Sequence, residues 1–127
     1  MQENHLYEYA VIRVVPRVER EEFLNVGVIL YCPGQRFLQA ICTLDKERIK
    51  AFSASLNIQE LEDYILALVK ICNGGKQGGP IGELPIASRF RWLTATRSTV
   101  VQASKVHSGL CGNAQETLLR LHGELVL

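Results

Sequence analysis

VGVILYCPGQRFLQAIC, from Val26 to Cys42, consists of two apolar runs separated by a proline and a glycine. Pro33 presets φ for the first turn position and Gly34 tolerates positive φ at the second, so the runs predict two antiparallel strands joined by a tight turn. Closing the turn there pairs Tyr31 with Arg36 and carries Asn25 opposite Cys42, provided no bulge intervenes. Gly27 stands inside the first strand, where a missing side chain marks a close approach by something else.

A third strand precedes the hairpin. YEYAVIRVV, Tyr7 to Val15, is rich in aromatic and β-branched residues, and its alternation puts Ala10, Ile12 and Val14 on one face. The other face, with Tyr7, Tyr9, Val11 and Val15, is also partly apolar, which suits an interior strand covered on both sides. Arg13 is out of place there. Pro16 lacks the donor a ladder needs and ends the strand. Arg20 to Leu24 then read as about one helical turn, with Asn25 in a left-handed conformation before the hairpin.

After Cys42 the period changes. Asp45 is a good N-cap for a short helix through KERIKAFSAS, and Leu61, Ile65, Leu68, Val69 and Cys72 recur at helical spacing between Ile58 and Cys72. Residues 74–85 hold five glycines and two prolines and read as a flexible connecting loop. Gly75-Lys76 is not a phosphate loop, because Gln77 replaces the Ser or Thr, no strand precedes it and Pro80 blocks the helix start. Phe90, Trp92 and Leu93 fit a short helix or a strand, with both rings read as core. Thr99 to Gln102 reads as a strand, and His107 to Asn113 as a loop. Leu118, Leu121 and Leu125 make the stripe of a closing helix. The sum is an α+β fold: one domain over residues 1–127, with a mainly antiparallel sheet of about four strands and two to four helices packed on it.

Composition narrows the function classes. With 127 residues, 47% hydrophobic and 21% charged, the chain fits one soluble domain, and a net charge of +1 singles out no class of partner. No apolar run approaches the length of a membrane helix, and the first residues lack a signal-peptide pattern, so a cytoplasmic protein with no membrane association is expected. Cys32, Cys42, Cys72 and Cys111 form no CxxC pair and the histidines are scattered, so neither a metal nor another cofactor is expected, and the cysteines read as free thiols.

Two polar clusters interrupt this pattern. One holds Arg13, Arg17, Glu19, Arg20, Glu21 and Glu22, where arginine forks suit phosphate or carboxylate but the charges also suit a solvated turn. The other runs from Leu84 to Gln115, where Arg89, Arg91, Arg97 and Lys105 occur without any acidic residue. Neither contains a nucleophile elbow or a carboxylate placed to orient a histidine.

The two segments YAVIRVVPRVEREEFLNVGVILYC and RFRWLTATRSTVVQASKVHSGL, in this order with helical sequence between them, resemble a family of small bacterial proteins catalogued as a domain of unknown function, number three-zero-three-seven. The resemblance implies that Arg13, Arg17, Arg20, Glu22 and Asn25, together with Arg97, Ser98 and His107, are the characteristic polar positions. It also implies a partner, since such proteins are often encoded beside HipA-like kinases. Cys111-Gly112-Asn113-Ala114 departs from the acidic helix start usual in relatives.

The leading expectation is therefore a binding or accessory module. Its two motifs converge on a basic Arg/His surface that docks a HipA-like kinase or a phosphate-bearing ligand. The alternatives are an enzyme acting on nucleotide or nucleic-acid phosphates, with His107 or Glu22 as acid or base, and a nonspecific nucleic-acid binder. The clusters favour binding over catalysis.

Overall fold

Alternating Tyr, Ala, Val and Ile side chains extend the first segment into β1, His5–Val14, which lies inside the sheet. The structure, a computed structural model, describes residues 4–97 and 99–127. Strand β2, Leu24–Cys32, pairs antiparallel with β1 on one side and with β3, Phe37–Cys42, on the other. The chain then leaves the sheet for α1, Lys46–Phe52, and α2, Ile58–Asn73. Two shorter helices follow, α3 at Gly79–Gly82 and α4 at Ile86–Leu93. Strands β4, Val101–Ala103, and β5, His107–Cys111, return to pair along the free side of β1, and α5, Ala114–Leu125, closes the chain. The described residues thus form one mixed domain with an antiparallel five-stranded sheet and five α-helices, one strand and one helix above the expected range.

The helices form two layers. Ala10, Ile12, Val14, Val26, Ile29 and Tyr31 point to a core shared with Ile49, Leu61, Leu68 and Phe90 of the helices before β4. On the opposite face Tyr7, Val28, Leu30 and Cys32 pack with Leu118 and Leu121 of α5. The coverage is uneven, because α5 lies over β2 and β3.

The helix starts follow their caps. Asp45 accepts from the Arg48 N–H at 3.1 Å, Asn57 from Glu60 at 3.1 Å and Asn113 from Glu116 at 2.9 Å. Asn113 thus begins α5. Phe90 is buried in α4 against Tyr31, but Trp92 is 40% exposed and is not core.

Several local expectations need correction. The hairpin is shifted by two residues: Tyr31 pairs with Leu38 and Gly27 with Cys42. A 3-10 turn at Pro33–Gln35 makes the connection longer, and the positive φ falls on Arg36 at 49° rather than on Gly34. The turn after β1 is a 3-10 turn at Val18–Arg20 closed by Glu21 at φ 57°, so Glu21, not Asn25, takes the left-handed conformation. Residues 74–85 contain a 3-10 turn at Lys76–Gly78 and all of α3. His107–Cys111 is a strand rather than a loop.

Candidate functional site

A one-residue bulge shapes the site. Ile12 faces Gly27 across the β1–β2 ladder, yet the next residue, Arg13, faces Asn25, so Val26 is the extra residue. Because side chains alternate along a strand, the insertion reverses which face each earlier residue of β2 addresses. Val26 and Leu24 therefore join the core under α1 and α2, and Asn25 turns to the α5 face beside Arg13. There its side-chain amide donates to the Leu125 carbonyl at 3.1 Å, at the end of α5. Gly27 has a separate explanation: a Cβ on it would lie 2.5 Å from the Cys42 Sγ and 2.9 Å from the Ile41 carbonyl.

Arg13 has no such internal explanation. Its guanidinium lies over the Phe23 ring, 4.1 Å from the centroid, and makes no hydrogen bond or ion pair among the described residues. The Nε of Arg13 and the Oδ1 of Asn25 are both buried without a hydrogen-bond partner. A hollow of about 420 Å³ opens over this corner, lined by Arg13, Val15, Val18, Glu21, Phe23 and Gln102. Gln102 is there because β4 pairs with β1, Arg13 opposite Gln102, while the Val15 N–H donates to the Val100 carbonyl at 2.6 Å. The two sequence motifs do meet, through this strand pairing.

The remaining candidates have other surroundings. Arg17 and Arg20 pair with Glu19, at 2.8 Å, and with Glu22, all well exposed, and with Pro16, Phe52 and Ser53 they line a second hollow of about 190 Å³. The Glu19 carboxyl is held below its ordinary value, first by a backbone N–H and next by Arg17. His107 stacks on Tyr9 with centroids 5.3 Å apart, an arrangement set by their direct pairing between β5 and β1. Glu22 and His107, the acid and base of the enzymatic expectation, do not share a setting. Ser98 lies outside the described residues.

The basic cluster of the second motif is largely structural. Arg89 donates to the Ile71 and Cys72 carbonyls at 2.9 and 2.7 Å and to Leu84 at 3.0 Å, so it caps the end of α2. Arg91 forms a two-pronged pair with Glu8, at 2.7 and 2.9 Å, and Glu8 holds the guanidinium above its ordinary value. Arg97 lies over Trp92, 4.3 Å from the ring centroid, and donates to the Trp92 and Leu93 carbonyls at the end of α4. Arg97 and Arg17 therefore do not share a setting either. Sequence reasoning missed Phe23 and Gln102 at the Arg13 corner. Phe23 was legible only as part of a turn, and Gln102 becomes relevant only through the β4 register.

Among the described residues no group of three His, Cys, Asp or Glu side chains is placed to hold a metal, and no helix is long and apolar enough to cross a membrane. The four cysteines are free thiols. A family model described as a protein of unknown function, DUF3037, matches residues 9–126. The chain belongs to the DUF3037 family. No curated protein and no solved structure matches it. Membership leaves the activity open, so the function has to be argued from the Arg13 corner.

Proposed function

We propose that this DUF3037 protein is a binding module that receives an anionic, phosphate-bearing group at Arg13. The observation that carries the proposal is the state of the Arg13 guanidinium. It stands on the sheet, orientated by stacking on Phe23, over an open hollow and without an anion of its own among the described residues, whereas Arg17, Arg20, Arg89, Arg91 and Arg97 all have protein partners. A guanidinium fixed in one orientation loses little freedom on binding and offers paired donors to phosphate. Asn25 and Gln102 stand beside it on the neighbouring strands, their amide nitrogens already donating to the Leu125 and Thr99 carbonyls, so the guanidinium itself is the donor on offer.

The family resemblance adds a protein to this proposal: a HipA-like kinase, or the phosphorylated or nucleotide ligand it carries, as the source of the anion. A cytoplasmic setting goes with that partner.

The test is titration of inorganic pyrophosphate into the protein, followed by the NMR resonances of the arginine side chains. Saturable shifts at Arg13, abolished in Arg13→Met with the fold intact, are expected. Shifts confined to Arg17 and Arg20, or unchanged binding by Arg13→Met, would sink the assignment.

A further inference from the structure

The proposed anion site occupies one corner of a wider uncovered surface. Helix α5 lies over β2 and β3, and the other helices pack on the opposite face. On the α5 side, Tyr7 of β1 and Cys111 of β5 are buried with α5, whereas from Tyr9 to Arg13 the same side of β1, with β4 and the start of β5, is more open; its side chains there follow from the register: Tyr9 and Arg13 from β1, Gln102 from β4, His107 from β5, and Phe23 just before β2. Val11 and Tyr9 are only half-buried, His107 is exposed and Phe23 is 46% exposed.

This surface is aromatic and basic in alternation. At one end His107 lies nearly parallel to Tyr9, at 28° between planes, and it is accessible to solvent. At the other, Phe23 carries the Arg13 guanidinium. Lys105 stands exposed in the turn between β4 and β5. Resting on the anion-site proposal above, we propose that the phosphate-bearing ligand is single-stranded nucleic acid, laid across β1, β4 and β5 with bases stacked at His107 and Phe23 and a phosphate at Arg13.

Three features select this class. Unpaired bases present the flat π faces that exposed rings and guanidinium planes can stack on, which duplexes hide. Tyr9 and Arg13 are four residues apart on β1, or about 13 Å, which suits a strand continuing past several nucleotides better than the base and phosphate of one mononucleotide. A peptide lying on this face would gain no main-chain pairing, which is open only along the outer edges of β3, β4 and β5. One group opposes the ligand: the Glu21 carboxylate lines the Arg13 hollow. Its removal should therefore tighten binding.

The experiment is fluorescence anisotropy with short labelled oligouridylate and oligothymidylate, with a duplex of the same length as competitor. Either single strand should bind and be displaced poorly by the duplex. His107→Ala and Phe23→Ala should each weaken binding about tenfold. Arg13→Met should weaken it and lower the salt dependence by about one counterion. Glu21→Gln should strengthen it, and Lys50→Ala, on α1, should leave it unchanged. Phe23→Leu replaces Phe23→Ala if the latter melts early, because it keeps an apolar side chain without the ring. Absence of single-strand binding, equal competition by duplex, or indifference to His107→Ala and Phe23→Leu would overturn the inference. If pyrophosphate still shifts Arg13 while oligonucleotides fail, the nucleic-acid inference falls and the anion site stands. If oligonucleotides bind equally to Arg13→Met, their phosphate is not at Arg13 and the nucleic-acid inference falls, while the pyrophosphate titration alone decides the anion site.

Discussion

Arg13 and Asn25 face one another across the β1–β2 ladder on the same side of the sheet, and each buries a polar atom that has no partner among the described residues. A donor Nε and an acceptor Oδ1 left unsatisfied at adjacent positions are a standing cost to stability of about 1–3 kcal/mol each. Such groups persist where something else gains from them.

Arg13→Met should therefore change stability by less than about 1 kcal/mol, because the loss of the cation–π contact with Phe23 is offset by removal of the orphan donor. Asn25→Ala behaves differently. It removes the bond to the Leu125 carbonyl and should cost about 1 kcal/mol. Urea unfolding of both variants tests the contrast. A large loss in Arg13→Met would mean that the guanidinium is structural.

Arg89→Ala should be the most damaging of the arginine substitutions, at about 2–3 kcal/mol, since it strands carbonyls at the end of α2 and at Leu84. Arg89→Lys should recover only part of the loss, because an ammonium cannot span three acceptors with a planar fork. Arg17→Ala and Arg20→Ala, whose partners are well exposed, should stay within about 0.5 kcal/mol of wild type. Thermal melts that ranked Arg17 above Arg89 would contradict the capping assignment.

Much of the fold could be read from the chain. The apolar alternation of β1, the paired runs of β2 and β3 and the helical stripe of α2 are local signals, and each element formed within a few residues of its expected place. The hairpin register could not be read, because Pro33-Gly34 looks like a two-residue turn until Arg36 is found taking the positive φ. β5 escaped notice for another reason. HSGLC faces open solvent at its start and needs Gly109 to clear the Tyr7 ring, so it lacks the alternation of a half-buried strand. The candidate site was legible as residue types and not as an arrangement. Arg13 was conspicuous on an apolar strand, but whether Arg89, Arg91 and Arg97 were free depended on carbonyls and carboxylates far away in sequence.

Gly27→Ala should cost about 1–3 kcal/mol, as the added methyl meets the Cys42 Sγ and the Ile41 carbonyl. Cys42→Ala in the same chain should restore part of this by clearing the sulfur, though not the carbonyl. Chemical denaturation of the single and double variants gives the coupling directly; additive effects would place the clash elsewhere.

Alkaline stability should report the buried thiols. Burial raises Cys42 and Cys72 from the ordinary 9.0 to about 12, with Cys42 adding to the effect on Cys72 and Arg89 opposing it. The folded protein thus keeps protons that the unfolded chain releases above pH 9. Their contribution is intact below pH 9 and is lost as pH rises toward 12, by about 1.4 kcal/mol per pH unit for each thiol. Stability curves of wild type and a Cys42→Ala, Cys72→Ala variant should diverge in slope only above pH 9. Parallel curves would show that the thiols are hydrated.

The extra residue at Val26 acts on this sheet much as a frameshift acts on a message. Before it, Leu24, Asn25 and Val26 are read in one phase, and from Gly27 onward the strand is read in the other. Pairing straight through Val26, with no bulge, would leave every letter unchanged while setting Asn25 opposite Val14 in the apolar core and turning Leu24 out of it. A comparison of relatives that scores only matching residues would miss such a change. The bulge at Val26 is therefore as much a part of the site's specification as the arginine itself.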